Sequence, residues 1–108
     1  MANTFKLKTK NNVGTATSDV YVVPSSTTCV VIGVTLANTS GSGINVGIGI
    51  TRSSTDDVYL MKNVPIPQGS SFEFMGGNKV VLEATDTFTA ESDVNSSLDV
   101  ALTIMEIT

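Results

Sequence analysis

Apolar residues recur at every second position along two segments of this chain, Cys29–Leu36 and Ile44–Ile50. Successive side chains of a β-strand point to opposite faces, so a period of two predicts strands with one buried face. The sequence does not show the 3.6-residue period and capping residues that an α-helix requires. The pattern therefore predicts an all-β protein.

Further strand segments follow at short intervals, separated by turns such as Pro65–Gly69 and Met75–Asn78. Eight or nine short strands at this spacing predict a single domain over residues 1–108, an antiparallel β-sandwich that is jelly-roll-like. Residues 1–12 would form an N-terminal arm or an edge strand. The predicted strands are residues 4–10, 18–23, 28–37, 44–51, 58–64, 71–75, 79–82, 87–91 and 97–107.

Apolar residues two positions apart define the predicted core. They are Val30, Ile32, Val34 and Leu36; Ile44, Val46, Ile48 and Ile50; Val58 and Leu60; Phe72 and Phe74; and Leu98, Val100, Leu102 and Ile104. The last strand then points Ala101, Thr103, Met105 and Ile107 outward. That outward face is too apolar for free water, which predicts an oligomer contact there.

On one face of the fourth predicted strand, Gly47 and Gly49 provide no side chains. Glycine weakens a strand, so a repeated stripe indicates that something approaches the backbone closely. Another subunit would fit. So would an aromatic ring of the same chain, from Tyr21 or Tyr59, or a bulge in the strand.

Charge is sparse and unevenly distributed. The net charge is −4, which argues against nucleic acid as a partner, since phosphate binding needs clustered Lys and Arg. Lys6, Lys8 and Lys10 alternate with Phe5 and Leu7, and the 3 basic and 10 acidic residues that follow give a balance of −7. The lysines would either pin an N-terminal arm to an acidic neighbour or keep a solvated edge strand from aggregating.

Residues for catalysis are missing. The chain has no His and one cysteine, Cys29, so neither a Ser-His-Asp nor a Cys-His arrangement exists, and no enzyme activity, cofactor or metal site is expected. Adjacent carboxylates at Asp56 and Asp57 fit a solvated turn better than a Ca²⁺ site. Asn38-Thr39-Ser40 and Asn95-Ser96-Ser97 match a glycosylation sequon, but with no apolar leader at the N-terminus they are interpreted as turns. No run approaches the ~20 apolar residues that cross a bilayer.

Several segments together resemble small virion structural proteins of tailed bacteriophages, particularly marine ones. A VY-x-VP turn at Val20–Pro24 precedes a strand that ends in Leu36-Ala37-Asn38, and the likeness continues in residues 58–69, 79–86 and 98–107. Similar β modules occur in capsid decoration proteins, in tail and neck components and in tail-fibre domains. The resemblance implies a β-sandwich that assembles as a symmetric homo-oligomer, with a trimer favoured.

The leading hypothesis is a capsid decoration (cement) protein on the virion surface, which binds the major capsid protein and stabilises the shell through subunit contacts. Alternatives are a tail, neck or tail-fibre component, or a carbohydrate-binding module that uses Tyr21 or Tyr59. Neither nucleic acid nor a membrane is expected as a partner. The predicted interface residues are Phe5, Lys6, Lys8, Lys10, Gly47, Gly49, Thr103, Met105 and Ile107.

Overall fold

The computed structural model describes residues 2–52, 56–74 and 79–108. The predicted reversal at residues 75–78 and loop residues 53–55 lie outside the described part of the chain. Within it the strands are β1 (Asn3–Val13), β2 (Ser18–Val22), β3 (Thr28–Asn38), β4 (Ile44–Thr51), β5 (Val58–Ile66), β6 (Ser71–Phe74), β7 (Val80–Leu82), β8 (Thr87–Ser92) and β9 (Leu98–Ile107). None of the described residues forms a helix of the length and apolarity that a membrane crossing would need.

These strands form two antiparallel sheets packed face to face. Sheet A has the order β1-β9-β3-β6, with β7 pairing β3 beyond the end of β6, and sheet B has the order β2-β8-β4-β5. Consecutive strands alternate between the sheets early in the chain, which gives the jelly-roll-like winding that the sequence predicts. The all-β fold class is confirmed.

The core lies between the two sheets. Along β4 and β9 the residues predicted to point inward are buried, as alternation requires. Ile66 and Leu82 also lie in the core, and so does Tyr21, which is 6 % exposed. The largest fully buried side chains include Phe88, Leu36, Ile48, Leu98, Leu102 and Ile104.

A β-bulge in β3 changes which residues of that strand face the core. The register with β9 shifts between Val31 and Gly33, so the extra residue Ile32 reverses the alternation. Cys29 and Val31 are buried, whereas Val30 and Ile32 are only partly buried and point away from the core. The prediction that Val30 and Ile32 share a face with Val34 was therefore wrong.

Edge strand β5 also departs from the sequence prediction. Val58, predicted as core, is 45 % exposed, because it lies at the end of a strand that pairs only with β4. The strand continues through Pro65 to Ile66, and Pro65 is tolerated because an edge strand leaves one side of its backbone unpaired. The turn follows later, where Ser70 N donates to Pro67 O at 3.1 Å.

The N-terminal segment, β1, forms one edge of sheet A. It pairs with β9 of the same chain from Asn3 to Val13. Its register shifts between Lys10 and Val13, where Asn12 has a φ of 55°. This bulge turns Val13 into the core, although Lys6 and Lys8 occupy the inward positions earlier in the strand. The segment is thus an edge strand with apolar side chains pointing outward and charged ones inward.

Candidate interaction surface

The outer face of sheet A carries a row of apolar side chains that crosses four strands. Phe5 pairs with Met105, Met105 pairs with Val30, and Val30 pairs with Val81, so the four side chains lie side by side on one face. Ile107 follows Met105 on the same face of β9, two residues along. The pairing of the strands therefore brings apolar side chains from four segments, distant from one another in the sequence, onto one surface.

This outer face is exposed and uncharged over most of its length. Phe5, Leu7 and Val81 are 70 %, 64 % and 58 % exposed, and Met105 and Ile107 are half-buried. The outward positions of β1, β9 and β3 carry no charge from the Thr28–Ile107 pair to the Thr35–Ala101 pair. An exposed apolar surface of this kind is typical of a protein contact. Two charged residues lie beside it on the same face, Glu73 opposite Thr35 and Asp99 opposite Ala37.

A hollow lies beside the apolar row on the same face. Its volume is about 670 Å³, and residues of three strands line it, among them Thr9, Lys10, Ala101 and Thr35. Asp99 also lines it and accepts a hydrogen bond from Asn12 N at 3.1 Å. The outer face thus has an exposed apolar end and a recessed end.

Lys6 and Lys8 of β1 lie under this face, and Lys8 lies near β2 at the edge of sheet B. Lys6 Nζ lies 2.8 Å from Glu106 Oε1, and Lys8 Nζ lies 5.6 Å from the centre of the Tyr21 ring. The hydroxyl of Tyr21 donates to the buried carboxylate of Glu106. The acidic neighbour of Lys6 is therefore a residue of its own chain.

Burial and hydrogen bonding shift the pKa values in this cluster. Burial, and then the hydrogen bond to Glu106, raise the pKa of Tyr21 above its ordinary value. The hydrogen bond from Lys6, followed by the one from Tyr21, lowers the pKa of Glu106. Glu106 is thus held ionised beneath β1 and fastens the edge strand to the sandwich.

The two glycines of β4 lie on the outer face of sheet B, beneath an aromatic ring of the same chain. A Cβ atom at Gly47 would lie 3.5 Å from the Tyr59 ring, and one at Gly49 would lie 3.7 Å from it. Lys62 Nζ lies 4.2 Å from the centre of the same ring, and the Tyr59 hydroxyl donates to Glu91 at 3.0 Å. A Cβ atom at Gly47 would also lie 3.2 Å from Glu91 Cγ, and one at Gly49 would lie 3.0 Å from the Val58 carbonyl oxygen. Tyr59 is thus one of several groups of the same chain that approach the glycines.

The aromatic side chains that a carbohydrate site would use are already engaged. Tyr21 is buried with its hydroxyl on Glu106, and the ring of Tyr59 lies between the β4 glycines and Lys62. Asp57 accepts a hydrogen bond from the backbone N–H of Arg52 at 3.1 Å. Among residues 2–52, 56–74 and 79–108, no group of three potential ligands is placed to hold a metal ion.

The predicted interface residues fall into three separate places. Phe5, Thr103, Met105 and Ile107 come together on the outer face of sheet A, and Gly47 and Gly49 lie on sheet B. Lys6 and Lys8 lie on the opposite side of β1, whereas Lys10 lines the hollow. Sequence reasoning missed Leu7, Val30 and Val81 as members of the face. A glycine within a strand often marks a bulge, so Gly33 was the signal that could have placed Val30.

Comparisons with known proteins identify the fold. No protein-family model and no curated protein sequence matches the chain. Among solved structures, a chain from the acidic stable capsid of Helicobacter pylori bacteriophage KHP30 is 12 % identical with a TM-score of 0.58, covering 100 % of this chain and 94 % of that one. A protein of Bacillus endospore appendages, which form disulfide-linked pili, is 13 % identical with a TM-score of 0.59, covering 99 % and 87 %.

Proposed function

We propose that this protein is a structural component of a bacteriophage virion, a decoration (cement) protein that binds the shell of the major capsid protein and stabilises it by subunit contacts. The observation that carries the proposal is the exposed, uncharged apolar face of sheet A, with Phe5, Leu7 and Met105 at its centre. The chain also shares its fold with a chain of a phage capsid, which supports a structural function in a virion.

The energetics of this face favour contact over solvent exposure. Burying a Phe, Leu or Val side chain contributes roughly 1.5–3 kcal/mol relative to leaving it in water. Phe5, Leu7 and Val81 are each more than half exposed, so most of that contribution is realised only when another polypeptide covers them. Adhesion is therefore the activity that the geometry supports.

The position of the charged groups agrees with a role in adhesion. Lys6 is paired with Glu106 of its own chain, and Arg52 is held by Asp86 at 3.2 Å and by Glu83. These side chains tie strands and turns of the sandwich together. These ion pairs stabilise the sandwich itself, and the uncharged outer face of sheet A is the surface that contacts the partner.

Heads of the encoding phage assembled without this protein provide the test. Added protein should sediment with the heads, saturate at a fixed number of copies per capsid protein, and raise the melting temperature of the heads. Particle images should then show the added density on the head. Absence of saturable binding, or binding that leaves head stability unchanged, would contradict the proposal.

The same images separate the decoration role from the alternatives within a virion. Density at the neck, tail or fibres would contradict decoration and support a tail component that uses the same kind of contact. Specific binding to a glycan array that depends on Tyr59 would instead support a carbohydrate-binding module.

A further inference from the structure

We propose that residues 3–10 of β1 form an arm that opens from β9 while the rest of the sandwich stays folded. Because the arm carries Phe5 and Leu7, its opening removes two of the three side chains at the centre of the apolar face of sheet A. The opening is a property of the folded chain alone. Its consequence for adhesion rests on the proposed function, since it makes the closed arm a condition for binding to the shell.

The arm adds little to the core of the sandwich. None of residues 3–10 is buried, and Phe5 and Leu7 are 70 % and 64 % exposed. Strands β4 and β9, by contrast, bury at least every second side chain. Segments with few buried apolar contacts open at a lower free energy than core strands do. The arm is therefore the segment expected to open first.

Hydrogen bonds hold the arm on one side only. Ala2 and Thr108 each donate a backbone N–H to the other's carbonyl oxygen, at 3.1 Å and 3.0 Å. Bonded and non-bonded pairs alternate along antiparallel strands, so the next bonded residues of β1 are Thr4, Lys6 and Lys8. The other side of β1 pairs with no strand in the described part of the chain. These amides therefore become free together when the arm leaves β9.

An ion pair beneath the arm acts as its latch. Lys6 Nζ lies 2.8 Å from Glu106 Oε1, and the side chain of Lys6 is 41 % exposed whereas that of Glu106 is 7 % exposed. Tyr21, on the opposite sheet, donates its hydroxyl to the same carboxylate. A buried carboxylate that loses its cation is costly, and opening of the arm relieves this cost by admitting water. Closure of the arm thus depends on Lys6.

The bulge in β1 marks where the arm ends. The register with β9 shifts just before Val13, where Asn12 has a φ of 55°. Val13 is fully buried and its carbonyl oxygen accepts a hydrogen bond from Ser97 N at 3.1 Å. The carbonyl oxygen of Gly14 accepts another from Ser92 N at 2.9 Å. The chain is therefore anchored from Val13 onward, and the arm can pivot at the bulge.

Opening of the arm changes the surface that the shell would contact. Phe5 pairs with Met105 on the outer face of sheet A, and Leu7 lies on the same face two residues along. The latch, Lys6 and Glu106, lies on the opposite side of β1 and does not belong to this face. A partner that needs the closed form binds in proportion to the fraction of closed molecules. The latch thus regulates adhesion without touching the partner.

Native-state hydrogen exchange of the purified protein tests the opening without reference to heads. The amides that the arm donates to β9 should exchange at least about 100-fold faster than those of β4, which is paired on both sides. Lys6→Glu places a second carboxylate against Glu106. In this variant the arm amides should exchange at nearly the rate of an unfolded chain, while those of β4 stay protected.

Lys62→Glu is the matched control for this experiment. It makes the same change of charge over the exposed ring of Tyr59 on sheet B and should leave the exchange of the arm and of β4 unchanged. The opening would be refuted by a wild-type arm that exchanges as slowly as β4. It would also be refuted if the arm of Lys6→Glu stayed protected, or lost protection together with β4.

A disulfide that locks the arm tests its effect on adhesion. Thr9 and Ala101 are directly opposite one another on the outer face, as a non-bonded pair. Cα atoms of such pairs lie about 4.5 Å apart, within the span of about 4.4–6.8 Å that a disulfide bridges. Thr9→Cys with Ala101→Cys should therefore hold the arm closed even in the Lys6→Glu background. The native Cys29 is fully buried and does not compete.

Binding to heads is then compared between the oxidised and the reduced form of this one locked variant. The oxidised form should bind at least about 10-fold more tightly, because its arm is closed in every molecule. Equal binding of the two forms would overturn the regulation. Heads that fail to bind the wild type would instead contradict the proposed function, and hydrogen exchange would still decide whether the arm opens.

Discussion

Lys6 on the edge strand lies 2.8 Å from Glu106 on its neighbour β9, and the carboxylate it pairs with is buried beneath the strand. Tyr21, from the opposite sheet, donates its hydroxyl to the same carboxylate. One acidic group therefore joins β1, β9 and β2. Since β1 buries only Val13 of its own side chains, this group is a main attachment of the strand apart from its backbone hydrogen bonds.

Replacing Lys6 should loosen the N-terminal strand. Lys6→Met leaves the buried carboxylate of Glu106 with Tyr21 but without its cation, and should lower the free energy of unfolding by about 1–3 kcal/mol. Urea denaturation followed by circular dichroism measures the loss. Lys62→Met is the control, because Lys62 lies over the exposed ring of Tyr59 and not over a buried carboxylate. Equal losses in the two variants would show that the ion pair stabilises nothing.

Acid should destabilise the wild type more than a variant without the carboxylate. Hydrogen bonds from Lys6 and then Tyr21 lower the pKa of Glu106 in the folded state. A depressed carboxyl pKa contributes stability that is complete above the unfolded-state value, about 4.3, and is lost as the pH falls through the folded-state value. In urea titrations at pH values below about 5, the wild type should lose stability more steeply than Glu106→Gln. Parallel losses would contradict this role, since the remaining carboxyls titrate in both proteins.

The alternation in the sequence was enough to predict the strands but not every face. Ile44–Thr51 and the inward set of β9 follow the period of two and were predicted correctly. In β3, however, the bulge between Val31 and Gly33 reverses the alternation halfway along the strand. Gly33 is a signal of a bulge in the sequence, but the residue at which the alternation reverses depends on how β3 pairs with β9.

The candidate interaction surface, like the faces of β3, could be predicted only in part from the sequence. The apolar outward face of β9 was visible in the sequence, because Met105 and Ile107 alternate with an inward series. The contributions of Val30 and Val81 depend on a register between segments far apart in the chain. Likewise, the sequence shows that Lys6 alternates with Phe5 but not that the lysine points inward, because pairing with Glu106 decides this.

Asn38 should be needed for stability although it lies in a sequon. It is 4 % exposed, and its side-chain amide donates to the carbonyl oxygens of Ser42 at 2.8 Å and Ile66 at 3.0 Å. Its Oδ1 accepts from Ser40 N at 2.9 Å. Asn38→Ala leaves these groups without partners and should cost about 2–3 kcal/mol in urea denaturation. Asn45→Ala, at an exposed position, should cost less than about 0.5 kcal/mol; similar costs would contradict the buried network.

Two strand glycines should respond in opposite ways to alanine. A Cβ atom at Gly49 would lie 3.0 Å from the Val58 carbonyl oxygen and 3.2 Å from Thr89 Oγ1, so Gly49→Ala should cost about 1–3 kcal/mol. Gly33→Ala meets nothing in its own chain and should be neutral or stabilising by up to about 1 kcal/mol.

Thermal unfolding measures the stability of both alanine variants. A large cost at Gly33 would show that the space above it is occupied within the chain. No cost at Gly49 would show that β4 and β5 can separate without loss.

Cys29 should be unreactive in the folded protein. It is fully buried, and burial raises the pKa of its thiol to about 11, so that roughly one thiol in a thousand is ionised at about pH 8. Ellman's reagent should therefore label no thiol in native protein and one per chain in urea. Val22→Cys, at a position that is 51 % exposed, should label one thiol natively and two in urea. Native labelling of Cys29 at the rate seen in urea would contradict its burial. An unreactive Cys29, the one cysteine of the sequence, would not link folded subunits by a disulfide bond. This chain would then differ from the protein of disulfide-linked pili with which it shares its fold.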